Sequence, residues 1–464
     1  MASRPADTDL ISSLDAMFLA LEEGGVHMHV LVVLVLEAGP LRAVDGALDL
    51  PRIRRFISDA IDAAPHFRQR LAWVPLLTAP IWVDAGDIDL DAHVRHRRLD
   101  PPGDDEALKA LVGELGSERL PRDRPLWHLT LVEGLAGDRF AMVFKIHHLI
   151  LDGRPGVESL AAFCGFAGPP TPRPPAPAPD PLGGIRRVVH ELDHRVAAGR
   201  ELLGWLGGAL RRDGVGALPT LARGLYAMAR APLWPSSPTP LNPPRLSPRR
   251  RVEWRVLDFA AVRARRQGGA TVNDVLLTAA TGMLRDFFLA RGIPVDGLDL
   301  RATVPVTVAR GAGRTNAVIG VFASLPVAAA TPAERLRRVT QVTRAIKGGH
   351  EGDTMDLVSR VSDLISYRLY GGFLRFAAGR RPSTIIVSDI IGPPVALDLL
   401  GARLLAVYPI VPLTETAGLA LAFFTYDGRL FCGLNADADV AVDLPRLADD
   451  LVAALTALPV SPDP

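Results

Sequence analysis

Apolar residues along this chain follow two rhythms, and each predicts a different element. Continuous apolar runs of strand length stand at 29–37 and 140–146, while residues 52–63 and 106–119 carry their apolar positions at helical spacing. Past residue 249 the mixture returns. Strands are predicted over 252–257 and 303–308, and helices over 271–289 and 331–346, the latter with Pro332 in its first turn, where a missing N–H does no harm. Strand-like runs follow at 385–387, 404–411, 419–426 and 430–434, and a helix over 445–458 closes the pattern. The class predicted is α/β, with two blocks of similar size facing each other.

Two proline-rich stretches, 168–181 and 235–248, can form neither helix nor sheet interior and read as stiff linkers. They divide the chain into an N-terminal domain over 1–167, a connecting segment over 168–248 and a C-terminal domain over 249–464. Within the connection, apolar residues at 185, 188, 189, 192, 196, 203 and 206 fall on one helical face, opposite a face rich in arginine. Trp205, Tyr226 and Trp234 are interleaved there. Such a segment fits a membrane interface, and it fits a helical pair packed across the two domains, the plainer reading.

Composition narrows the function. A chain of 464 residues exceeds what one core supports, in keeping with two domains. The net charge of +1 offers no field to attract nucleic acid. The longest apolar run, 30–36, is far too short to cross a bilayer, and the polar start of the chain is followed by no signal-type apolar stretch. Cys164 and Cys432 supply neither a disulfide framework nor zinc spacing. A cytoplasmic protein, soluble or peripheral to a membrane, is expected.

One motif carries chemistry. The strand ending at Ile146 runs into His147-His148-Leu149-Ile150-Leu151-Asp152-Gly153. Side chains alternate along a strand, so the two imidazoles should point to opposite sides, one entering a cavity and the other bracing. An imidazole near its ordinary pKa of about 6.5 can take a proton from a hydroxyl at neutral pH. Asp152 could fix the ring or hold the loop rigid, and Gly153 ends the strand excursion and permits a close backbone approach. A metal site would need further ligands, and neighbouring histidines such as His128 stand at no familiar spacing.

His147 to Gly153 resembles the HHxxxDG signature of the coenzyme-A-dependent acyltransferase superfamily, and the rest of the chain resembles its wax ester synthase/diacylglycerol acyltransferase branch. The resemblance runs through Leu14-Asp15-Ala16-Met17-Phe18-Leu19, Met28-His29-Val30, Pro65 to Leu71, Pro80 to Asp84 and Pro125-Leu126-Trp127. It continues through Thr239 to Asn242, Thr271-Val272-Asn273-Asp274 and Val304-Pro305-Val306. One departure stands at Ser388-Asp389-Ile390-Ile391-Gly392-Pro393, where the family usually carries Ser-Asn-Val-Pro-Gly-Pro.

The resemblance implies two chloramphenicol-acyltransferase-like domains, each a mixed sheet with flanking helices. It implies direct acyl transfer from a long-chain acyl-CoA to the hydroxyl of diacylglycerol or of a fatty alcohol, with His148 as general base and no cofactor. His147 and Asp152 would complete the catalytic motif, His147 mainly as a brace and Asp152 holding the loop, with Arg301 as a partner for Asp152. Gly153, Asn273, Asp274, Ser388 and Asp389 would border the substrates, although Asn273 and Asp274 could equally cap their helix. Pro125, Leu126 and Trp127 would be scaffold. Such substrates imply contact with a membrane at the inner face of the cell or with a lipid body. Two rivals remain: transfer to another hydroxyl, on a polyketide or glycolipid, and lipid binding without catalysis.

Overall fold

The computed structural model describes residues 11, 13–22, 26–64, 67–73, 80–150, 195–205, 234–308, 317–348, 367–414 and 416–460, with isolated positions at 207, 208, 211, 222, 226 and 364. Its strands are β1 (His29–Glu37), β2 (Gln69–Ala72), β3 (Ile81–Asp84), β4 (Val94–Arg98), β5 (Trp127–Leu135), β6 (Arg139–His147) and β7 (Arg250–Asp258). The others are β8 (Leu300–Val308), β9 (Ala317–Leu325), β10 (Ile385–Ile391), β11 (Asp398–Leu399), β12 (Ala402–Ile410), β13 (Leu419–Tyr426) and β14 (Arg429–Asp437). Seven helices enter the argument: α1 (Ser13–Glu22), α2 (Leu50–Ala63), α3 (Asp105–Ser117), α4 (Val272–Leu289), α5 (Pro332–Gly348), α6 (Tyr367–Gly379) and α7 (Leu444–Thr456).

The helices start where the sequence supplies acceptors for the free N–H groups of a first turn. Asp49, Asp104 and Asp443 accept from the backbone of Arg52, Ala107 and Arg446 and so cap α2, α3 and α7. Pro51 and Pro445 stand in the first turns of α2 and α7, where proline is tolerated.

Two six-stranded sheets hold the core, in the orders β11-β12-β1-β6-β5-β4 and β7-β14-β13-β10-β8-β9. The first is antiparallel except for the β4–β5 pair; in the second, β10 lies parallel to both β13 and β8. Mixed sheets with helices against them are what the resemblance implied.

The division at residue 249 is crossed by the first sheet. Residues 402–410 lie in the C-terminal part of the sequence, yet β12 pairs antiparallel with β1, Val33 opposite Tyr408. Tyr408 also stacks on Trp254 of β7, centroids 4.6 Å apart, so one apolar cluster runs between the sheets. A β-carbon on Gly433 of β14 would lie 1.9 Å from the Pro409 carbonyl oxygen, which measures how closely the two backbones approach. Central β1 would otherwise be an edge strand with unpaired backbone groups, and β12 supplies the missing partner.

Candidate active site

β6 is buried along nearly its whole length because it lies between β1 and β5, and it ends at the histidine pair. His147 closes the strand and is 1% exposed. His148 opens a single 3₁₀ turn, His148–Ile150, and is half-buried. The two imidazoles therefore have different surroundings, as strand alternation predicts. The His147 N–H donates to the Leu126 carbonyl at 2.9 Å, and the His148 N–H to the Met28 carbonyl at 2.8 Å. Phe18 of α1 stacks on the His148 ring, with centroids 4.1 Å apart.

Behind the pair sits a buried carboxylate that the sequence reading passed over. Glu22, the last residue of α1, is 4% exposed. One of its oxygens accepts from the Met28 N–H at 2.9 Å and lies 3.4 Å from His29 Nε2. The other accepts from Arg122 Nη2 at 2.7 Å and lies 3.4 Å from His147 Nε2. Burial opposes the charge, but the imidazoles of His147 and His29 outweigh it and hold the carboxyl well below the usual carboxylate range. His29 shows the converse. Burial pushes it down to about 4, against the pull of Glu22, so it is neutral at neutral pH.

The remaining predicted site residues divide clearly. Asp152 and Gly153 lie outside the described residues. Arg301 binds Asp299 through its guanidinium in two places and donates to the Trp234 carbonyl at 2.9 Å, while the partner proposed for it, Asp152, lies outside the described residues.

Asp274 is a helix cap. One carboxylate oxygen accepts from the Thr271 N–H at 2.7 Å, completing a capping box, and the other accepts from the Thr343 hydroxyl at 2.6 Å. With both oxygens engaged and 2% exposure, Asp274 has a structural duty where a substrate contact was also open. Asn273 differs: its amide oxygen is buried and has no hydrogen-bond partner among the described residues. A buried acceptor left open is where a substrate donor or a water would bind.

Trp127 is scaffold. Its indole N–H donates to the Phe67 carbonyl at 2.8 Å and its ring stacks on His93 at 4.3 Å, while Leu126 holds the His147 backbone. Ser388 and Asp389 lie on β10 opposite Ala422 and Phe423 of β13. The departure at 388–393 keeps the one residue that sterics demand, since a β-carbon on Gly392 would lie 2.2 Å from the Thr425 carbonyl oxygen. Among the described residues, no three His, Cys, Asp or Glu side chains form a group that could hold a metal ion.

Comparison with known proteins adds to this geometry. A protein of Mycobacterium tuberculosis strain CDC 1551 named as a diacylglycerol O-acyltransferase is 30% identical over 98% of this chain and 90% of its own length. A second from the same strain, with the same activity in its name, is 30% identical over 97% of this chain and 96% of its length. Among solved structures, a wax ester synthase/diacylglycerol acyltransferase from Marinobacter aquaeolei shares the fold with a TM-score of 0.64 at 23% identity, covering 96% of this chain and 97% of that one. The wax ester synthase/diacylglycerol acyltransferase catalytic domain matches residues 11–276 and the C-terminal domain of the same family matches 315–459. The chain is a member of the wax ester synthase/diacylglycerol acyltransferase family.

Proposed function

We propose that this protein transfers a long-chain acyl group from acyl-CoA to the hydroxyl of diacylglycerol or of a fatty alcohol, with His148 as general base. The observation that carries the reading is the unequal burial of the two histidines at the end of β6: His147 is sealed in, and His148 is half-open beside α1. His148 takes the hydroxyl proton as the oxygen attacks the thioester carbonyl. The carbon–sulfur bond then breaks, and the proton passes to the departing thiolate of coenzyme A. The acyl group arrives already activated as a thioester, so the reaction as written needs no cofactor. A positioned base of this kind contributes roughly 10²–10⁴-fold in rate. The test is an assay with a long-chain acyl-CoA, offered diacylglycerol and a fatty alcohol in parallel, following thiol release and the lipid product. Ester formed by the wild type and lost in His148→Ala supports the reading and identifies the acceptor; equal rates in both proteins sink it.

Apolar substrates of this class favour attachment to a lipid surface. No helix among the described residues is long and apolar enough to cross a membrane. Helix α6 instead exposes Leu369, Phe373 and Phe376, spaced by four and three residues on one stripe. Arg380 lies over the Phe376 ring, suited to anionic headgroups at the same surface. In the described part of the connection, a helix over 195–205, Val196 and Leu203 are likewise exposed. Their exposure favours the membrane-interface reading of that segment over burial between domains. Flotation with anionic liposomes, comparing wild type with a Leu369→Ser/Phe373→Ser/Phe376→Ser variant, checks the helix; binding unchanged by the triple variant excludes it.

A further inference from the structure

We infer that Glu22 is a positioning residue for acyl transfer: its buried carboxylate holds the His147–His148 turn in the geometry that presents the His148 imidazole. The inference rests on His148 being the base. Phe18 and Glu22 are four residues apart on α1 and therefore share a face. From that face Phe18 meets His148 and Glu22 meets His147, so one helix addresses both histidines.

The carboxylate reaches each histidine by a separate route. His147 Nδ1 accepts from the Leu149 N–H at 3.1 Å, so the neutral ring carries its hydrogen on Nε2, the nitrogen 3.4 Å from Glu22. That contact is longer and less well aligned than a full hydrogen bond, and it acts by charge as well as by direction. The second route is the backbone. Glu22 binds the Met28 N–H, and the Met28 carbonyl accepts from the His148 N–H. Rotation of the His148 backbone would therefore strain the same residue that Glu22 anchors.

Energetics argue against an incidental contact. A charge 4% exposed has lost most of its water, and its loss of hydration is offset only if all of its partners stay in place. The partners come from three segments outside α1: residues 28–29, Arg122 and the end of β6. An apolar residue would fill the space with less penalty but would offer no negative charge to His147 Nε2 and no acceptor to the Met28 N–H. Orienting a base through a fixed carboxylate lets a small displacement alter the rate strongly.

The test uses the full chain and four proteins: wild type, Glu22→Gln, His148→Ala and, as the conservative variant, Glu22→Asp. For Glu22→Gln we expect kcat to fall between about tenfold and a hundredfold, with the KM for acyl-CoA little changed. Glu22→Asp, which keeps the charge on a shorter stem, should recover part of kcat. A Glu22→Gln protein with wild-type kcat, measured alongside an inactive His148→Ala, overturns this inference while leaving the base assignment intact. An active His148→Ala removes the foundation of both. Where Glu22→Gln fails to fold, the imidazole ¹⁵N resonances of the wild type decide: the Nε2–H tautomer at His147 is required, and the Nδ1–H tautomer refutes the proposal.

Discussion

Phe18 and His148 stack with their planes 26° apart, so the proposed base is held on one face by an aromatic ring from a helix 130 residues earlier in the chain. Ring pairs of this kind contribute about 0.5–1.5 kcal/mol beyond their buried area. If the stack sets the orientation of the base, Phe18→Leu should lower kcat by roughly 2- to 12-fold at a nearly constant KM for acyl-CoA. Steady-state kinetics with one donor and one acceptor check this. An unchanged kcat would mean that the stack has no bearing on the base.

Asp274 and Asn273 should separate in their effects. Asp274→Ala removes the capping box of α4 and leaves the buried Thr343 hydroxyl only the Thr340 carbonyl, 3.2 Å away, as acceptor, so stability should fall by about 1–3 kcal/mol. The activity of the protein that remains folded should be close to that of the wild type. Asn273→Ala should change stability by less than about 0.5 kcal/mol and raise the KM for one of the two substrates. Urea unfolding together with kinetics distinguishes the pair, and a reversed pattern would exchange their roles.

Acid should unfold this protein through its buried histidines. Burial brings His27 and His29 down to about 4 and His128 to about 3, while the same side chains titrate near 6.5 when unfolded. Below 6.5 the unfolded chain therefore binds protons that the native chain refuses. Stability is full above pH 6.5 and falls as the pH drops towards 4, by about 1.4 kcal/mol per pH unit for each histidine. Glu22, held below the usual carboxylate range, stays charged in the folded protein, and it adds to the fall only below about pH 5, where the unfolded carboxyl begins to bind a proton. Unfolding free energy measured against pH should show the fall, and His27→Gln should reduce its slope by up to one proton. A flat curve between 6.5 and 4 would mean that these imidazoles are charged in the native protein.

Gly433→Ala should be among the most damaging small substitutions in the chain. Its new methyl would stand 1.9 Å from the Pro409 carbonyl oxygen, a backbone atom, and 2.9 Å from Ile410 Cδ1. Neither β14 nor β12 can yield without breaking its sheet pairs, so a loss of several kcal/mol, of the order that overpacking costs or more, is expected. Thermal unfolding of the purified variant checks this; a melting temperature within a few degrees of wild type would show that the sheets can separate locally.

Much was legible before any coordinates. The apolar run at 29–37 is β1 residue for residue, and the helical spacing at 271–289 places α4 to within one residue. Local signals suffice there, because period and capping residues lie within one segment. The histidine pair stood out because two imidazoles at the end of a strand form a contiguous pattern. The pairing of Arg301 with Asp299 was not legible, because position beside a strand motif says nothing about which charge a guanidinium will meet.

Sequence by itself determined the class of fold, the family and the histidine pair at the end of β6. Only the tertiary structure decided that β12 completes the first sheet from the far side of the apparent domain boundary, and that Glu22 stands behind His147. Both depend on pairings between segments far apart in the chain. Such pairings leave no periodicity along it, and a lone glutamate at a helix end reads as solvated until packing removes its water.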